Sequence, residues 1–193
     1  MMRDQKLTYG RVTQVLHGVI ALMIIVMLIS GYTFDFLPKS TFKISLKDFH
    51  KSLGLTILCL MLIRVGWRIW NPWPALPVHL PKWQHYAARS VHLILYGLGI
   101  IFPASGWIMS VAAQHTPIWF GWVTMNLPIE PSKALASAAY TTHVWLGWLC
   151  LGCLSLHITA ALKEGFGPKA ILWRIWPHAS LKKVPLSQQQ NTL

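Results

Sequence analysis

Four histidines stand one helical turn before a small residue: His17 with Ala21, His50 with Gly54, His143 with Gly147, and His157 with Ala161. All four lie in charge-poor apolar segments. An ionisable side chain in such a segment is costly and marks a functional site by default. Imidazole is a common axial ligand to haem iron. A Gly or Ala at i+4 clears bulk from the same helix face, where a flat porphyrin needs room. His79, His85, His92, His115 and His178 are not followed by Gly or Ala at that spacing. For any one histidine taken singly, a hydrogen-bonded core residue is the competing reading.

The elements that must hold these side chains are apolar helices. The 193 residues are 54% hydrophobic and 11% charged, whereas soluble domains carry about 25% charged residues. Val12 to Phe34, Ser90 to Ile129 and Ala134 to Leu162 contain no Asp, Glu, Lys or Arg, and a fourth apolar stretch from about Phe49 to Trp70 is broken near its end by Arg64 and Arg68. A membrane span needs roughly 20 apolar residues. The pattern predicts an all-α integral membrane four-helix bundle, with helices at about 12–34, 49–70, 88–111 and 138–162. The first run is long and has no small-residue cleavage site behind it, so it reads as a span and not a leader.

The first connection, Asp35 to Asp48, carries Pro38 and lysines spaced by four. The second, Asn71 to Ala87, holds Pro72, Pro74, Pro77 and Pro81 among tryptophans. It reads as an ordered loop near the headgroups, because proline blocks a helix. In the third, about 112–137, Trp119, Phe120 and Trp122 read as an interfacial aromatic belt. Gly165 and Pro168 stop the last helix, and Ala170 to Trp176 reads as a short interfacial helix. The chain divides into a transmembrane domain at 1–178 and a polar tail at 179–193, with no second domain and no repeat. Cys59, Cys150 and Cys153 fall inside apolar spans, and a buried cysteine is more often a small apolar residue than a reactive one.

The net charge of +12 belongs to membrane loops and does not point to nucleic acid. If four helices alternate, 12 basic residues lie with the termini and the second connection, while Lys39, Lys43, Lys47, Lys51 and Lys133 make 5 on the other side. The positive-inside rule then puts both termini in the cytoplasm, in a multi-pass protein of a bacterial inner membrane.

Helix direction sorts the histidines by depth. His17 and His157 fall near the inner face, and His50 and His143 near the outer face. His143 and His157 are 14 residues apart, which is nearly four turns and about 21 Å along one helix face. Zinc sites want three or four protein ligands, so two histidines per level are too few. A proton relay normally includes carboxylates, which the spans lack. Two imidazoles on opposite sides of a plane suit haem at both levels. Cys150-x-x-Cys153 is not followed by histidine, so covalent attachment is absent and the haem is b-type.

These residues resemble the bacterial cytochrome b561 family. The resemblance rests on R-x-x-x-x-x-H-G at Arg11 to Gly18, D-x-H-K-S-L-G at Asp48 to Gly54, and A-R-S-V-H-x-x-L-Y at Ala88 to Tyr96. It also rests on S-G-W at Ser105 to Trp107, and on His143-x-x-x-Gly147 followed by His157. The likeness covers about residues 7–178. It implies a four-helix bundle with two b haems, ligated by His17, His50, His143 and His157. Members of that family pass electrons between a donor and the quinone pool, and some resemble a superoxide oxidase that reduces ubiquinone. Ascorbate belongs to six-helix animal and plant relatives and is not carried over to four helices.

Further roles follow by position. Arg64 stands 14 residues after His50, on the ligand face at the depth of the inner pair, where a haem propionate would pair with it. Snorkelling to the headgroups is the alternative. Arg11 and Arg89 lie at similar depth and are equal candidates. His92 has Tyr96 at i+4 and reads as a hydrogen-bonding or propionate residue, not a ligand. Trp107 either borders the outer haem or anchors at the interface. The outer lysines either draw in a small anion or meet water and headgroups. Two functional readings result. One is an oxidoreductase of the superoxide:ubiquinone type, in which two haem b pass single electrons to ubiquinone. The other is a haem b anchor that wires a soluble dehydrogenase or hydrogenase subunit to quinone.

Overall fold

The computed structural model describes residues 2–4, 9–71 and 81–165. Four long helices dominate: α1 Arg11–Thr33, α2 Thr41–Trp70, α3 Lys82–Ala112 and α4 Lys133–Gly165. All four are long and apolar enough to cross a membrane. α1 packs on α2, α2 on α3, and α3 most extensively on α4. α1 and α4 face each other across a cavity and make few close backbone approaches among the described residues.

Three helices overrun their expected ends. The 30 residues of α2 make a rod of about 45 Å, longer than the roughly 30 Å hydrocarbon core. Apolarity is required only inside that core, so the helix continues through the lysine-bearing stretch that reads in the sequence as a loop. Its start is capped by Ser40, whose Oγ accepts the Lys43 N–H at 3.2 Å. α3 begins at Lys82, directly after Pro81, so residues 82–87 are helix and not loop. Residues 72–80, the interfacial helix at 170–176, and the 178/179 domain boundary lie outside the described residues.

The third connection contains a β-hairpin that hydropathy does not foretell, β1 Ile118–Trp119 with antiparallel β2 Val123–Thr124. Phe120 and Gly121 turn it with φ of 46° and 81°, a left-handed conformation that glycine adopts freely and phenylalanine does not. Ser52, 2% exposed on α2, holds the phenylalanine there. Its Oγ accepts the Phe120 N–H at 3.0 Å, and its single hydroxyl proton is shared between the Asp48 carbonyl at 2.9 Å and the Ile118 carbonyl at 3.3 Å. Trp119 donates its indole N–H to Thr56 Oγ1 at 3.0 Å, and Trp107 on α3 donates to the Met125 carbonyl at 2.8 Å. Trp119 and Trp107 are therefore pins between the hairpin and the bundle, and of the three belt candidates only Trp122 is largely exposed, at 81%. The hairpin and the α1–α2 turn mark one end of the bundle, called the hairpin end. The start of α1 and the finish of α4 mark the terminal end.

Ser52→Ala should free the Phe120 N–H from its acceptor at a cost of about 1–3 kcal/mol. The expected result is faster amide exchange across residues 118–125, with the helices unaffected, measured by hydrogen–deuterium exchange in detergent.

Candidate functional site

One continuous cavity runs between the helices. It comprises about 1280 Å³ with its open side included, and all of His17, His50, His92, His143 and His157 line it. The depth pairing read from helix direction is the pairing observed. His17 and His157 have ring centroids 6.2 Å apart, at 84° between planes. His50 and His143 stand 6.4 Å apart at 74°. Two imidazoles binding one metal ion from opposite sides, at about 2 Å per bond, place their ring centroids about 6 Å apart. Both pairs meet that spacing. Among the described residues no group of three or more His, Cys, Asp or Glu converges on one point, so the donor set is not that of a zinc site.

The hairpin-end pair is held by its second nitrogens. Ser30 on α1 donates its hydroxyl to the Met27 carbonyl at 3.0 Å, so its oxygen accepts His50 Nδ1–H at 2.8 Å. Ser105 on α3 donates to the Phe102 carbonyl at 2.6 Å, and His143 Nδ1–H lies 3.0 Å from that hydroxyl and 3.1 Å from the same carbonyl. A carbonyl only accepts, so His143 Nδ1 carries the proton. The arrangement leaves Nε2 of both rings as the free lone pair, which is how a metal-binding histidine is oriented by its outer partner. Pro103, next to Phe102 in α3, contributes no N–H to the helical ladder.

Gly106 is a close-approach glycine. A Cβ there would sit 2.9 Å from His143 Cε1 and 3.1 Å from Nδ1. Gly31 plays a milder part beside His50, with Cε1 at 3.4 Å. The small residues at i+4 are realised only in part. Ala21 and Gly54 line the cavity, whereas Gly147 is covered by the Phe102 ring at 3.4 Å and Ala161 is not among the lining residues. Sequence reasoning missed Ser30, Ser105 and Gly106 as ring-positioning residues. The Ser105-Gly106 pair was on view in the S-G-W motif, but only the packing of α3 against α4 says what it faces.

At the terminal end His92 joins the His17–His157 pair. Its ring lies 5.4 Å from His157, shorter than either matched pair. Arg64 lines the cavity, with its Cζ 5.5 Å above the Tyr96 ring and its enclosed Nε without a hydrogen-bond partner. Arg68, one turn on, is 8% exposed and pairs with Asp4 at 3.1 Å. Asp4 in turn accepts the Gly10 N–H at 2.6 Å, which folds the N-terminal segment over this end. Arg11 and Arg89 are exposed, and neither lines the cavity.

The family profile of prokaryotic cytochrome b561 matches residues 8–178. The chain belongs to the prokaryotic cytochrome b561 family. Cytochrome b561 homolog 2 of Escherichia coli (strain K12) is 31% identical to it over 120 residues. The match covers 62% of this chain and 63% of that relative, a little under two thirds of its length. Membership implies haem b binding and membrane electron transfer. A half-buried Arg64 whose enclosed Nε lacks a partner, together with two imidazole pairs at ligation spacing, fits such a group.

Gly106→Ala should push the His143 ring from its place, an overpacking of about 1–3 kcal/mol, and lower the haem bound per chain. Gly18→Ala should leave it unchanged, because nothing lies within 4 Å of a Cβ at that position. Pyridine haemochrome assays of the two purified variants check this contrast.

Proposed function

We propose that this chain binds two haem b, one between His17 and His157 and one between His50 and His143, and carries single electrons from a donor at the hairpin end to ubiquinone. The observation that carries the reading is the pair of matched ring separations, 6.2 and 6.4 Å, within one cavity. Bound haem b supplies one-electron chemistry; the protein supplies ligation, orientation and charge. A propionate on Arg64 is supported by its enclosed Nε, which needs an acceptor, and by the half-buried cation, which has no protein carboxylate beside it. His92 flanks the terminal-end site as a polar neighbour and not a ligand. Arg11 and Arg89 belong to the surface of that end.

The positive-inside bias supports a terminal end in the cytoplasm and a hairpin end outside, in a bacterial inner membrane. A small anionic donor such as superoxide suits the hairpin end. Its attraction is weaker than the lysine count implies, however, because Asp35, Asp48 and Glu130 belong to the same end. Lys51 pairs with Asp48 at 3.4 Å, and Lys43 donates to the Leu37 carbonyl at 2.8 Å. The anchoring alternative gains some support from the exposed, aromatic start of α3, where Trp83 and Tyr86 are 67% and 70% exposed.

His143→Ala should remove one of two haems, and His92→Ala should remove neither, by reduced-minus-oxidised spectra scaled to protein. Retention of both haems in His143→Ala sinks the ligand assignment. Superoxide added to the purified wild type with ubiquinone should reduce the haem and then the quinone. Absence of haem reduction, with co-purification of a larger redox subunit, would favour the anchor.

A further inference from the structure

The two histidine pairs differ in what surrounds them, and the differences act in one direction. At the hairpin end both rings give their Nδ1–H to oxygen: His50 to Ser30 at 2.8 Å, and His143 to Ser105 and the Phe102 carbonyl at 3.0 and 3.1 Å. Both serine hydroxyls direct their own protons to backbone carbonyls, so they present lone pairs to the rings. A ring that donates from one nitrogen becomes more basic at the other. Stronger donation to iron favours the ferric state and lowers the reduction potential.

At the terminal end, no hydrogen bond reaches a ring nitrogen of His17 or His157 among the described residues. The cavity wall there carries Arg64 and Arg68, its only cations among the described residues. Asp4 answers Arg68, and among the described residues no carboxylate pairs with Arg64. Reduction adds a negative charge, and a nearby buried cation favours the more negative state. Weaker ligand donation raises the potential of this end, and so does a guanidinium that no protein carboxylate neutralises and that offsets the negative charge of a propionate paired with it.

We propose that Ser30 and Ser105 are positioning residues that make the His50–His143 site the low-potential end. Arg64 makes the His17–His157 site the high-potential end, so electrons run downhill from the hairpin end to the terminal end. This deepens the two-haem reading and rests on it. It also separates two uses of serine in this bundle, because Ser52 holds the hairpin and touches neither ring.

The test is a potentiometric titration of the purified full-length chain with its haem, followed in the α-band. The wild type should show two one-electron components. Ser30→Ala and Ser105→Ala should raise the lower component alone, and Arg64→Met should lower the upper one alone. Each change should alter the electron equilibrium between the sites by about three- to tenfold, or roughly 30–60 mV at 59 mV per tenfold for one electron. Ser105→Thr, which keeps the hydroxyl, should restore the wild-type value. His143→Ala, which strips the hairpin-end site, should leave the upper component. This last variant tests the order of potentials even if a serine variant fails to fold. Survival of the lower component in His143→Ala, or unmoved midpoints in both serine variants, overturns the proposal. A wild type that binds one haem or none overturns the two-haem reading instead.

Discussion

Two pairs of imidazoles meet across the bundle with ring centroids 6.2 and 6.4 Å apart, and the rest of the structure is arranged around those two approaches. Helices packed ridge into groove approach to about 8–10 Å between axes. That leaves no room between them for a porphyrin-sized plate. Here α1–α2, α2–α3 and α3–α4 pack directly, while α1 and α4 stand on either side of the cavity. The bundle is thus three packed interfaces and one face given to the site. α4 supplies one ring to each pair, and α1 and α2 supply one ring each.

Inside a bilayer no water satisfies stray polar groups, so every polar atom of the site must be answered by protein or by what the site binds. At the hairpin end Ser30, Ser105 and the Phe102 carbonyl take the imidazole N–H groups. The terminal end answers Arg68 with Asp4 and leaves Arg64 Nε enclosed without a partner. At one end the rings are hydrogen-bonded, and at the other the cavity wall carries Arg64 and Arg68. That asymmetry distinguishes two histidine pairs that look equivalent by residue type.

The boundary errors share one cause. Hydropathy reports where the hydrocarbon lies and not where helical hydrogen bonding stops, so α2 and α3 continue past their apolar limits to Thr41 and Lys82. The hairpin at residues 118–124 escaped notice because two-residue strands have no readable period. Its stability comes from Ser52 and Thr56, more than sixty residues away in the chain. The i+4 pattern picked out the four histidines that form the two close pairs, through a mechanism only partly realised. Ala21 and Gly54 do border the cavity, while Gly147 accommodates Phe102.

The sequence by itself determined the four helices, the family, and the partner of each candidate ligand, because span direction and a 14-residue interval convert position into depth. It also brought Arg64 to the correct end and face. Only the tertiary structure decided that Ser30, Ser105 and Gly106 position the hairpin-end rings, and that Asp4 engages Arg68 and not Arg64. It also left Arg11 and Arg89 outside the cavity. Those outcomes depend on the rotation of each helix about its own axis and on side-chain reach across interfaces. Apolar residues surround most of α1 and α4, so no strong amphipathic face in the sequence records that rotation.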